Sequence, residues 1–192
     1  MSKLALLFPG IGYTCDRPLL YYGRKLAGKE GYELRTVSYV YDGDMNIRGN
    51  VQKMEEAFRA LYGQARELLA GLEYERYEEV LFLSKSVGTV IAAAYAKELR
   101  DKGIGGNTKL RHIFYTPLEY TFKYDPDEAI AFLGTADPWC VPEEVIRIAK
   151  VRKVPVHVYD NANHSLETGD VIADLNILKD VMENTEAFIR KA

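Results

Sequence analysis

Three short segments hold the residue types of an activated alcohol. Ser84-Lys85-Ser86-Val87-Gly88 offers two serines beside a glycine, Gly134-Thr135-Ala136-Asp137 offers a carboxylate, and Asn163-His164-Ser165 offers an imidazole. A serine hydroxyl is a poor nucleophile at neutral pH unless a base removes its proton during attack. Neutral histidine suits that task, and a carboxylate orients its ring and stabilises the charged form. Each residue also has a bland reading: a serine at a helix start is commonly an N-cap, and an aspartate ahead of a proline is commonly a turn residue. His112 and His157, the other two histidines, fall inside strand patterns and read as structural. Asp160 lies close to His164 and is a rival carboxylate, but it sits at a strand end and suits a turn.

The elements around these residues decide between the readings. Short apolar or β-branched runs mark strands at Leu4–Phe8, Glu33–Tyr39, Val80–Ser84, Arg111–Tyr115, Ala129–Gly134 and Val154–Tyr159. Helical patterns fall at Arg17–Lys29, Val51–Leu72, Thr89–Lys102, Pro142–Val151 and Gly169–Lys191. This β/α alternation predicts an α/β fold: a doubly wound, mostly or fully parallel sheet of about six strands flanked by helices. Near-continuous apolar strands fit a sheet buried on both faces. In such sheets ligands bind at the carboxyl ends of the strands, and Ser86, Asp137 and His164 each follow one. A nucleophile on a strand-to-helix turn needs small residues two before and two after it. Ser84 and Gly88 meet that need around Ser86. Around Ser84 the bulky Phe82 would not, so Ser86 is the expected nucleophile.

Here the chain resembles the α/β-hydrolase fold family. Ser84-Lys85-Ser86-Val87-Gly88 is a variant of its nucleophile elbow, with serine for the first glycine. Gly134–Asp137 is similar to its acid loop, Asn163–Ser165 to its histidine loop, and Pro9-Gly10-Ile11-Gly12 to its oxyanion loop. The resemblance spans essentially the whole chain and implies a minimal member, since the chain begins directly at the oxyanion strand. It implies Ser86 as nucleophile, His164 as general base then acid, and Asp137 as the orienting carboxylate. It also implies an oxyanion hole made by the Val87 N–H and a second N–H from the Pro9–Gly12 loop. Pro9 has no N–H, which leaves Ile11 first and Gly10 second.

Other classes fit less well. With 25 basic and 28 acidic residues the net charge is −3, so no general field attracts nucleic acid. No run reaches the roughly 18 apolar residues of a membrane span, and the N-terminus lacks the pattern of a signal peptide. Cys15 and Cys140 show no metal-like spacing and are expected as free thiols in the cytoplasm. Gly10-Ile11-Gly12 follows a strand, but Cys15 stands at the third glycine of a dinucleotide turn. Asp42-Gly43-Asp44-Met45-Asn46 starts like a calcium loop, but Ile47 and Lys53 replace the glycine and glutamate it requires. Neither metal nor cofactor is expected. At 192 residues the chain is expected to form one domain over residues 1–192.

Residues Thr116 to Glu128, where the family often carries a lid, are too few for a helical cap. An open, shallow cleft is expected, rimmed by Tyr13, Tyr41, Tyr120, Tyr124 and Trp139, although several of these could simply cover the sheet ends. Lys85 is expected to face solvent at the cleft edge, with contact to an anionic substrate as the alternative. The expected activity is hydrolysis of a small carboxylic ester or thioester through an acyl-enzyme. A non-catalytic ligand-binding protein on the same fold, or a hydrolase of peptide or carbon–carbon bonds, is the alternative.

Overall fold

The computed structural model describes residues 2–44 and 46–191. Met45, within the calcium-like loop, lies outside them. The strands are β1 (Ser2–Phe8), β2 (Tyr32–Thr36), β3 (Tyr77–Lys85), β4 (Lys109–Tyr115), β5 (Glu128–Gly134) and β6 (Val156–Tyr159). The helices are α1 (Pro18–Lys29), α2 (Val51–Leu68), α3 (Val87–Asp101), α4 (Pro142–Val151) and α5 (Val171–Arg190). Short 3₁₀ turns at Tyr74–Arg76 and Glu119–Tyr124 complete the order. All strand pairs are parallel, in the order β2-β1-β3-β4-β5-β6.

Alternating side chains feed two cores, as the two-residue period of a strand requires. Ala5, Leu7, Leu81, Leu83, Ile113 and Tyr115 pack under α1 and α5. Leu4, Leu6, Phe8, Val80 and Phe82 pack under α2 and α3. Both sets are buried, which is why β1 is apolar at every position from Leu4 to Phe8 and β3 from Val80 to Leu83. Asn50 caps α2 by accepting from the Lys53 N–H at 3.0 Å, and Asp170 caps α5 by accepting from the Ala173 N–H at 2.8 Å.

The chain runs outward from β1 to β2, then crosses back to lay β3 on the other side of β1. Winding reverses between β1 and β3, and that reversal opens a crevice at their carboxyl ends. Phe8 pairs with Ser84 at the last rung, so the Pro9 loop and Ser86 leave the sheet side by side.

Element boundaries depart from the sequence reading where a hydrogen-bond partner runs out. β2 stops at Thr36, not Tyr39. Its one neighbour is β1, whose Leu7 carbonyl still accepts from Val37 at 2.9 Å, but Pro9 offers no N–H beyond it. α2 stops at Leu68 rather than Leu72, and the turn that follows uses Gly71 at φ 75°. β6 starts at Val156, after Pro155. α3 starts at Val87, two residues earlier than expected, because the Ser86 carbonyl accepts from the Thr89 N–H at 2.9 Å and from its hydroxyl at 2.6 Å.

In β4 two buried residues, Arg111 and His112, break the apolar pattern. Arg111 is fully buried, pairs with Glu79 and Glu128 at 3.0 Å each, and donates to the Phe188 and Ile189 carbonyls at the end of α5. His112 packs its ring against Phe82 and Phe114, with centroids 4.7 and 5.1 Å away. Burial pushes its pKa down to about 3, so it stays a neutral core ring. No helix among the described residues is long and apolar enough to cross a membrane.

Candidate active site

Ser86 occupies the turn between β3 and α3 at φ 58° and ψ −128°, a conformation that side-chain-bearing residues adopt only under constraint. Its N–H is held by the Tyr115 carbonyl at 3.1 Å. Ser84 is fully buried, and its hydroxyl donates to the Ile113 carbonyl at 3.2 Å. Gly88 is the tightest point of the turn: a Cβ there would stand 2.3 Å from the Phe8 carbonyl oxygen and 2.6 Å from that of Pro9. Gly88→Ala therefore forces β1 away from the turn. We expect it to cost about 1–3 kcal/mol, lowering Tm by roughly 2–12 °C for a chain of this size. Thermal unfolding followed by circular dichroism checks this, and an unchanged Tm contradicts it.

Asp137 and His164 come from the loops after β5 and β6. Gly134 lets these loops touch, since a Cβ on it would stand 2.1 Å from the Ala162 carbonyl oxygen. Further bonds stitch them together: Ala136 N–H to the Ala162 carbonyl at 3.0 Å and Asn161 N–H to the Thr135 hydroxyl at 2.8 Å. Inside the histidine loop the Asn163 side chain accepts from the Ser165 N–H at 2.7 Å. Leu166, at φ 61°, turns inward to the core.

The three residues expected to act together meet. His164 Nδ1 lies 2.7 Å from Asp137 Oδ2, and His164 Nε2 lies 2.7 Å from Ser86 Oγ. An ionised carboxylate can only accept, so Nδ1 carries the hydrogen and Nε2 presents a lone pair to the serine hydroxyl. Asp137 is 4% exposed, and its other oxygen accepts from the Trp139 N–H at 2.9 Å. Burial holds the His164 pKa below its ordinary value. The charge of Lys85 adds to that shift, and the hydrogen bond to Asp137 opposes it. The rival Asp160 is exposed in the turn that follows β6.

Gly10 abuts the serine: a Cβ on it would stand 3.0 Å from Ser86 Cβ. Ile11 and Val87 both line the pocket above Ser86, whereas Gly10 does not. Val87 is the first residue of α3, so its N–H has no partner within the helix.

The expected cleft needs correction. It is a pocket of about 470 Å³, and part of its wall comes from Ile47 together with Val51, Met54 and Phe58 on the first turns of α2. The segment between β4 and β5 contributes Tyr120 and Tyr124 to the lining, but α2 supplies a wall that the sequence reading does not expect. The signal for the α2 wall is present in the sequence. Residues 51, 54 and 58 share one helical face, and the N-terminal end of a crossover helix lies at the strands' carboxyl ends. Tyr13 and Trp139 line the pocket as expected, but Tyr41 does not; its hydroxyl donates to the Asp44 carbonyl at 3.3 Å.

Lys85 is the larger correction. It lines the pocket but is 2% exposed, not solvent-facing. It continues the row Leu81, Leu83 toward the α1/α5 face, and its ammonium lies 4.8 Å from the centre of the Tyr13 ring. Burial pushes its pKa down to about 7, against the pull of Asp137 and Glu167. Cys15 is buried and Cys140 half-buried, and both are free thiols. No cluster of His, Cys, Asp or Glu among the described residues could hold a metal ion.

No protein-family model and no curated protein matches the chain. Solved structures do. An α/β serine hydrolase homologue from Coxiella burnetii is 14% identical, with a TM-score of 0.58 over 95% of this chain and 84% of that one. An α/β serine hydrolase without a lid from Xanthomonas campestris is 12% identical, with a TM-score of 0.62 over 98% and 81%. An esterase from Pyrococcus furiosus is 13% identical, with a TM-score of 0.64 over 99% and 83%. The likeness runs through nearly the whole chain and agrees with the all-parallel sheet described above: this is a small protein of the α/β-hydrolase fold.

Proposed function

We propose that the protein is a serine hydrolase that cleaves a carboxylic ester or thioester of a small molecule. The observation that carries this reading is the unbroken relay from Ser86 through His164 to Asp137, with both contacts at 2.7 Å. Ser86 Oγ attacks the carbonyl carbon while His164 Nε2 takes its proton. Asp137 holds the ring in the required tautomer and stabilises the imidazolium. The oxyanion accepts from the Val87 N–H and from Ile11, with Gly10 as the second candidate. On collapse His164 returns the proton to the departing alkoxide or thiolate, leaving Ser86 acylated. A water, deprotonated by the same imidazole, then releases the acid and restores the serine. A pocket of about 470 Å³ lies within the range of small-molecule sites, and its apolar wall suits the substrate's hydrocarbon part.

The known hydrolases and the esterase of similar structure support hydrolysis in general. A non-catalytic binding protein would tolerate a histidine turned away from the serine, and the two short contacts favour the enzyme. Fluorophosphonate labelling, combined with esters and thioesters of graded acyl length, tests the reading. Labelling of the intact protein with turnover of at least one series supports it; absence of both overturns it.

The pH profile follows from the shift at His164. Only the neutral ring can accept the serine proton, and burial lowers the pKa at which it charges. We therefore expect the acid limb of kcat/KM to have its midpoint below about 6.5, the ordinary histidine value. A midpoint above 7 contradicts the assignment.

A further inference from the structure

Ser86 stands between two unlike sides of its pocket. On the side of the sheet covered by α2 the wall is largely apolar, with Ile47, Val51, Met54 and Phe58 beside one acid, Glu55, while Lys123 lines the pocket next to Tyr120. Toward α1 it is cationic. Lys85 and Arg17 both line the pocket, and both approach the ring of Tyr13, with Lys85 Nζ at 4.8 Å and Arg17 Cζ at 6.0 Å from its centre.

Neither cation forms an ion pair among the described residues, and three of the acids near the pocket are engaged elsewhere. Asp16 holds Arg24 at 2.9 Å, Glu55 holds Arg59 at 2.5 Å, and Asp137 holds His164 and the Trp139 N–H. Asp137 and Glu167 act on Lys85 through space, without an ion-pair contact. A side chain as buried as Lys85 is costly to keep charged without an anion. An aromatic face returns only part of that cost, about 0.5–2 kcal/mol. The partner that would complete the site is an anion entering with the ligand.

We propose that Lys85 and Arg17 form an anion subsite, so that the substrate carries a carboxylate or phosphate on the α1 side of the scissile carbonyl and an apolar portion on the α2 side. This rests on the hydrolase reading only for where the scissile carbonyl lies; binding of the anion does not require turnover.

The test is calorimetric binding to the Ser86→Ala protein at about pH 6, below the value of about 7 to which burial pushes Lys85. The probes are two matched pairs: monohexyl succinate against hexyl methyl succinate, and hexyl phosphate against its neutral dimethyl ester. One charge-assisted contact corresponds to roughly 10–100-fold in affinity, so at least one anion should bind about tenfold more tightly than its neutral twin. The pair that shows the preference tells carboxylate from phosphate. Adding Lys85→Met should bring that ratio to about one, and adding Arg17→Ala should lower it in part. Because Arg17 is exposed, its replacement keeps the test open if the lysine variant fails to fold. Equal affinity within both pairs overturns the proposal, as does a preference that survives both replacements. A protein that prefers anions yet neither takes the fluorophosphonate label nor hydrolyses any ester or thioester would overturn the hydrolase reading and leave this one standing.

Discussion

Replacing Ser86 with alanine is expected to lower kcat for any ester the protein turns over by about 10⁶-fold, the loss seen when the nucleophile of such a relay is removed. His164 then has no hydroxyl to deprotonate, and only binding and the oxyanion donors remain. The measurement is steady-state hydrolysis of a short p-nitrophenyl ester, run beside fluorophosphonate labelling and circular dichroism. Labelling should vanish while the folded signal stays. If the variant retains activity within tenfold, or labels equally well, Ser86 is not the nucleophile. Its neighbour Ser84 cannot take over, because its hydroxyl is buried and bound to the Ile113 carbonyl.

The second large effect is on stability, far from the pocket. Arg111→Met should destabilise the protein by about 3–5 kcal/mol, the range for breaking a buried ion pair by removing one partner. Glu79, whose side chain is 6% exposed, would keep Tyr32 as a donor but lose its cation. The Ile189 carbonyl would lose its donor as well, and the Phe188 carbonyl would keep only the Lys191 N–H, at the last turn of α5. The guanidinium also covers the Phe188 ring at 4.4 Å. Thermal unfolding should show Tm lower by roughly 6–20 °C, and a fall of less than about 2 °C contradicts the account. A double variant with Glu79→Leu should recover part of the loss, since a buried pair replaced by apolar groups is often neutral.

What was legible in the sequence follows from what is local. β3 and β5 read clearly because strands buried on both faces are apolar without interruption. Asp137 and His164 could be picked out because each directly follows such a run. The choice of Ser86 over Ser84 needed only the sizes of its near neighbours. The burial of Lys85 is not legible in the sequence because its environment is not local: Tyr13 and Gly10, which lie against it, come from the loop after β1. A charged residue alone gives no sign of burial, since most are exposed. The α2 wall was overlooked because an apolar helical stripe is ordinarily spent on the core. Here Leu61 and Ala65 serve that end, and the first two turns also line the pocket. The pairing of Arg111 with Glu79 and Glu128 joins three strands, so no window of sequence contains it.

The pairing of β1 with β3 skips over a strand and two helices, and it puts chain order at odds with the order of assembly. The Phe8 and Pro9 carbonyls press on Gly88, so the turn that bends Ser86 has its shape only once that distant rung is closed. Joining remote segments costs loop entropy before any contact repays it, and parallel pairings of this kind are intrinsically slow. We therefore expect helices and local turns to form early and the serine geometry to form late, when both ends of the central crossover are in register.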